Sequence, residues 1–117
     1  MKISENLYVA PGIKNPENIL NKLNKRRLLK KMYVVAFFED NEHLEILESR
    51  LFLQKSLSRM EFEITALVND YDTAVRYVRA LVEISIKQFD SFNQRKVVSF
   101  AKPYLIQDYM DYQEDEE

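Results

Sequence analysis

Apolar positions along this chain fall into short runs whose spacing switches between two and three-to-four, the mark of strands and helices in alternation. Leu7 to Ala10 is a short apolar run halted by Pro11-Gly12, which is strand chemistry followed by a turn. Asn15-Pro16 reads as a helix cap with proline at the first helical position. Ile19, Leu20 and Leu23 then share one helical face while Lys22, Lys25 and Arg26 point elsewhere, predicting an amphipathic helix from Pro16 to about Arg27.

Met32 to Phe38 is β-branched and aromatic almost throughout, which predicts a central strand with both faces covered. Leu44 to Glu48 partly alternates and is expected to pair with it as an antiparallel hairpin partner. Ser49 to Arg59 reads as a short helix or an irregular link. Glu61 to Val68 alternates cleanly, predicting a half-buried strand with Phe62, Ile64, Ala66 and Val68 on one face. Capping residues at Asn69 to Thr73 precede Ala74, Val75, Val78, Leu81, Val82, Ile86 and Phe89 at helical spacing, so the strongest predicted helix runs to about Asp90. Val97 to Ala101 fits a strand or a helical turn, and Pro103 permits a short last helix carrying Leu105, Ile106, Tyr109 and Met110.

This order gives an α+β fold: a small two-layer sandwich with an antiparallel or mixed sheet of about four strands and two main helices. The first six elements match the split β-α-β order of ferredoxin-like sandwiches, with the segment from Leu7 to Phe38 as a right-handed parallel β-α-β unit. A three-stranded meander backed by two helices is the competing arrangement. Either leaves an open sheet face or an edge for a second copy.

With 117 residues, 46% of them hydrophobic, the chain can bury a core as one domain. The absence of cysteine excludes disulfides and thiolate metal sites. The longest apolar stretch, Met32 to Phe38, is far too short to span a bilayer, and residues 1 to 6 carry no apolar leader. A Lys- and Glu-rich surface without such a segment favours the cytoplasm.

Charge sharpens the picture because it is segregated. Six of the 19 acids lie in residues 108 to 117, where there is no base, so residues 1 to 107 set 17 cations against 13 acids, a net +4. The expected division is a domain over 1–107 and a disordered acidic tail over 108–117, since that tail has little apolar area to offset its ordering entropy. Lys22, Lys25, Arg26, Arg27, Lys30 and Lys31 place six cations in ten residues with no acid among them.

Candidate chemistry is sparse. Gly12 is the only glycine, which eliminates phosphate-cradling loops and the dinucleotide fingerprint. His43 is the only histidine, so a two-imidazole metal site is impossible, and its place in a polar turn makes it a bystander. Asp40, Asp70 and Asp72 follow strands and could in principle gather around Mg²⁺, but their positions are those of caps and turns. No catalytic residue, metal or cofactor is expected.

Two surfaces remain. The six cations could neutralise phosphates, and Tyr33 and Phe37 share strand parity, as base-stacking aromatics would, though the glycine-rich segments of RNA-recognition modules are missing. Tyr104, Tyr109, Met110 and Tyr112 could dock on a partner or a second copy, because aromatics and Met are enriched at interface centres. The leading expectation is therefore a non-enzymatic, self-associating protein-interaction or regulatory module. The alternative is a nucleic-acid binder in which the acidic end competes for the basic block.

Tyr33 to Ala36, Leu44 to Ser49 and Ala66 to Ala74 resemble segments of small, uncharacterised, roughly hundred-residue proteins of Gram-positive anaerobic bacteria, over about Leu7 to Ile86. The resemblance rests on strand and cap chemistry. It implies a shared fold and carries no catalytic residue, substrate or cofactor.

Overall fold

The computed structural model describes residues 1–27, 30–38, 41, 43–58, 60–89 and 94–115. Strand β1 (Lys2–Val9) begins well before the apolar run, because Ser4 and Asn6 alternate inward with Tyr8. At the following turn Gly12 adopts φ +92°, and the Ile13 N–H donates to the Ala10 carbonyl. Only glycine reaches that left-handed position without strain.

Helix α1 (Pro16–Asn24) stops short of Arg27. The Arg27 N–H donates to the Lys22 carbonyl and the Arg26 N–H to that of Leu23, with Arg26 at φ 54°. This is a Schellman stop with arginine in the left-handed position that glycine usually takes. Asn15 is also left-handed, and its side chain makes no capping bond, so the expected side-chain cap is replaced by its carbonyl, which accepts from Asn18 and Ile19.

Strands β2 (Tyr33–Phe38) and β3 (Glu45–Glu48) form the expected antiparallel pair. A 3-10 turn (Ser49–Leu53) and a short helix α2 (Lys55–Ser58) lead to β4 (Phe62–Val68). Helix α3 (Tyr71–Ile84) passes into a π turn (Ser85–Phe89). Helices α4 (Gln94–Phe100) and α5 (Pro103–Asp115) follow, so Val97 to Phe100 is helical.

The fold is α+β with a four-stranded mixed sheet in the order β1-β4-β2-β3. Strand β1 runs parallel to β4 and β4 antiparallel to β2, which makes β1 and β2 antiparallel. The parallel β-α-β unit expected between Leu7 and Phe38 is therefore not formed, and the sheet departs from the split β-α-β interleaving.

Alternation along β2 divides the core. Val35 and Phe37 face Tyr8, Tyr77, Leu81, Ile84, Val97, Ile106 and Met110. Val34, Ala36 and Phe38 face Leu20, Leu23, Phe52 and Leu67. Helices thus cover both faces: α3, α4 and α5 one, α1 and the 3-10 turn the other. The two-layer expectation is corrected to three layers, because β2 and β4 are apolar on both sides.

In β4 the expected single apolar face does not exist. Val35 pairs with Ala66 but Ala36 with Ile64, and on the other side Ile3 pairs with Ile64 and Tyr8 with Ala66. Thr65 has no cross-strand partner on either side. This bulge inverts the parity, sending Phe62, Ile64 and Leu67 to one face and Ala66 and Val68 to the other.

The predicted boundary at residue 107 is also corrected. Helix α5 runs through Asp115, with Ile106 fully buried and Met110 only 2% exposed, so the predicted boundary falls inside a helix that is anchored in the core; residues 116 and 117 lie outside the described residues. Apolar residues four apart supply the burial that the acidic composition conceals. Among the described residues no helix is long and apolar enough to cross a membrane.

Candidate functional site

The acidic-aromatic surface is built on α5. Ile106 and Met110 anchor one side of this helix in the core. Tyr104, Asp108 and Tyr112, spaced four apart, form one exposed line on another side, with Asp111 beside it. Tyr104 is 72% and Tyr112 55% exposed, high values for large aromatic side chains on a helix. Tyr109 is half-buried, and its hydroxyl accepts from Gln88 Nε2 at 3.3 Å.

Lys87, on the π turn, sets its ammonium 5.8 Å from the Tyr109 ring centre and 5.9 Å from that of Tyr112. Both distances lie within cation–π range. Lys87, Asp108, Tyr109 and Tyr112 together line a hollow of about 290 Å³. Of the four residues expected at an interface, Tyr104, Tyr109 and Tyr112 share this region, whereas Met110 is corrected to a core residue because it points inward from the opposite side of α5.

The apolar spacing points neither to Lys87 as a site residue nor to the 50% exposure of Ile86. Counted from the buried Tyr77 and Ile84 at about 100° per residue, Ile86 falls on the far side of the helix, away from the core. The buried face of α3 is carried instead by Ala74, Tyr77, Ala80, Leu81 and Ile84.

The basic surface forms where α1 ends. Lys22 is half-buried, and Lys25, Arg26, Arg27, Lys30 and Lys31 are exposed. The Schellman stop turns Arg26 and Arg27 off the helix axis, and Lys30 and Lys31 lead into β2. Across the rim of the sheet, the Arg50 guanidinium bonds to Glu48 at 2.7 Å and holds that carboxyl below its ordinary range, with a smaller contribution from Lys31. The acids of α5 pack on the other side of the sheet, so nothing described brings them onto this block.

The remaining candidates take structural positions. Asp70 caps α3, its Oδ1 accepting from the Thr73 N–H at 2.7 Å, and this bond holds its carboxyl below the usual range. Asp72 lies exposed in the first turn of α3, and Asp40 lies outside the described residues. Among the described residues no three carboxylate or histidine side chains gather as a metal site would require. His43 is exposed, and its N–H donates to Asn41 Oδ1. Phe37 is fully buried with Arg95 4.6 Å from its ring centre, and Tyr33 packs edge-on against Tyr71, so these two rings form no open stacking platform.

No family model, curated protein or solved structure matches this chain.

Proposed function

We propose that this chain is a non-enzymatic interaction module of the cytoplasm that binds protein through the acidic-aromatic line of α5. The observation that carries this reading is the exposure of Tyr104 and Tyr112 on a helix whose opposite side is locked into the core. Rigid aromatics lose little conformational freedom on docking and supply large contact areas, which is why they concentrate at binding centres. The deciding experiment compares immobilised wild type with a Tyr104→Ser/Tyr112→Ser double variant in lysate of the source cells. The expected result is a retained protein, which can be this chain itself, that is lost from the variant. Equal retention by both overturns the reading.

The open cations of the α1 stop support a second reading, nucleic-acid binding through Lys22, Lys25, Arg26, Arg27, Lys30 and Lys31. Phosphate neutralisation by several of them predicts affinity that falls steeply with salt. Titration with mixed-sequence DNA and RNA at two salt concentrations tests it, and binding that ignores salt removes it.

A further inference from the structure

We infer that the basic block of one copy docks on the acidic-aromatic line of α5 in a second copy, giving head-to-tail association. This deepens the interaction reading above and rests on it. The first support is charge complementarity. Lys22 to Lys31 carries six cations and no acid, while residues 108 to 117 carry six acids and no base. The exposed members include Lys25, Arg27, Lys30 and Lys31 on one side and Asp108 and Asp111 on the other.

The second support is placement. Leu20 and Leu23 seat α1 on one face of the sheet, and Ile106 and Met110 seat α5 on the opposite face. Arg76 Nη2 also donates to the Met110 carbonyl at 3.2 Å, fixing α5 against α3. The basic block and the described acids of α5, Asp108 and Asp111, therefore lie on opposite sides of the sheet within one molecule, and each is exposed to a neighbour. The third support is the ring chemistry. The faces of Tyr109 and Tyr112 already hold the ammonium of Lys87, and Tyr104 on the same helix remains open to an arriving guanidinium or ammonium.

Because the two surfaces differ, pairing does not end at two copies, and mass grows with concentration until a ring closes or a chain extends. The contact is rim-like and charged, so salt weakens it.

The test measures mass by light scattering across concentration, at about 20 mM and about 500 mM salt. One variant reverses the basic pole (Lys25→Glu, Arg27→Glu, Lys30→Glu, Lys31→Glu), and another reverses the acidic pole (Asp108→Lys, Asp111→Lys). Circular dichroism checks that both fold, as expected for exposed positions. Wild type should rise to at least about twice the monomer mass at low salt and return to monomer at high salt. Each variant alone should stay monomeric, and an equimolar mixture of the two should associate again. Monomeric wild type at low salt overturns the inference, while the interaction reading is still judged by the tyrosine variants. Salt-independent association that both variants retain overturns the pairing of the poles but leaves self-association standing. If wild type is monomeric yet binds mixed-sequence DNA or RNA that the first variant does not, the basic block belongs to nucleic acid and the inference falls.

Discussion

The Tyr77 hydroxyl donates to the Thr65 carbonyl across 3.4 Å, joining the middle of α3 to the one residue of β4 that has no cross-strand partner. The Thr65 hydroxyl in turn donates to the Val35 carbonyl at 3.1 Å. The bulge is thus tied on two sides, and its parity switch keeps Ala66 and Val68 under α3. Burial pushes the Tyr77 phenol well above the ordinary tyrosine range. With the folded value raised, the stabilisation is complete below the unfolded pKa of about 10 and is lost as pH climbs beyond it. Tyr77 should therefore ionise only when the fold opens in alkali, seen as a jump in tyrosinate absorbance that coincides with loss of circular dichroism. Tyr77→Phe should reduce that jump and cost about 1 kcal/mol at neutral pH in denaturant titration.

Asp70 supplies a test at the other end of the pH scale. Its carboxyl is held low by the Thr73 bonds, so its contribution is present above about pH 4 and declines as pH falls through the depressed folded value. Asp70→Ala should cost about 1 kcal/mol at neutral pH. Asp70→Asn should keep most of the cap and flatten the acid limb of the stability curve. Urea midpoints measured from acid to neutral pH would show both effects.

Asn6 Nδ2 donates to the carbonyls of Val98 at 2.9 Å and Ser99 at 3.2 Å, closing the end of α4 from strand β1. Asn6→Ala should destabilise by about 1–3 kcal/mol, since it strips partners from largely buried carbonyls. Asn6→Asp should be worse at neutral pH, because a carboxylate would face two acceptors, and should recover in acid once it can donate. Thermal melts of the three proteins at neutral and acidic pH would rank them.

The correction of the acidic end carries its own test. Met110→Ala removes a core side chain and should cost about 2–5 kcal/mol. Tyr112→Ser, two residues along the same helix, should change stability by no more than about 0.5 kcal/mol. If residues 108–115 formed a detached tail, the two substitutions would be indistinguishable in a denaturant midpoint.

Arg26 sits at φ 54°, where an L side chain costs about 1–2 kcal/mol relative to the right-handed region. Arg26→Gly should relieve this and stabilise the protein by up to about 1 kcal/mol after the extra entropy of an unfolded glycine. Arg26→Ala should bring no such gain. Melting both at high salt separates backbone strain from the lost charge.

What was legible in the sequence was local. The β2–β3 pair, the Pro11-Gly12 turn and the Asp70 cap follow from neighbouring residues alone, and each has the expected geometry. The departures arose where the local signal had a competitor. The alternation of Phe62, Ile64, Ala66 and Val68, broken only by the apolar Leu67, concealed a bulge that is stabilised by Tyr77 and Val35, far away in the chain. The apolar spacing from Ala74 to Ile86 marks one stripe of α3, but the helix buries a neighbouring one centred on Tyr77, Ala80 and Ile84, which leaves Ile86 outside. No glycine announced the end of α1, because Arg26 takes that conformation itself. At the candidate site, the aromatic spacing at Tyr104, Tyr109 and Tyr112 was readable, whereas the inward side of Met110 depended on which face of α5 meets the core.

The Tyr8 hydroxyl reaches Gln107 Oε1 at 2.5 Å, bridging 99 positions, and Asn6 reaches across 92 to Val98. Strand β1 therefore leaves the ribosome ahead of every element it pairs with or packs against. It waits for β4 before it has a neighbour, and for α4 and α5 before it is covered. Closure of this small protein is thus slowed by loop entropy out of proportion to its size, and an unpaired, partly apolar first strand is what a chaperone would meet.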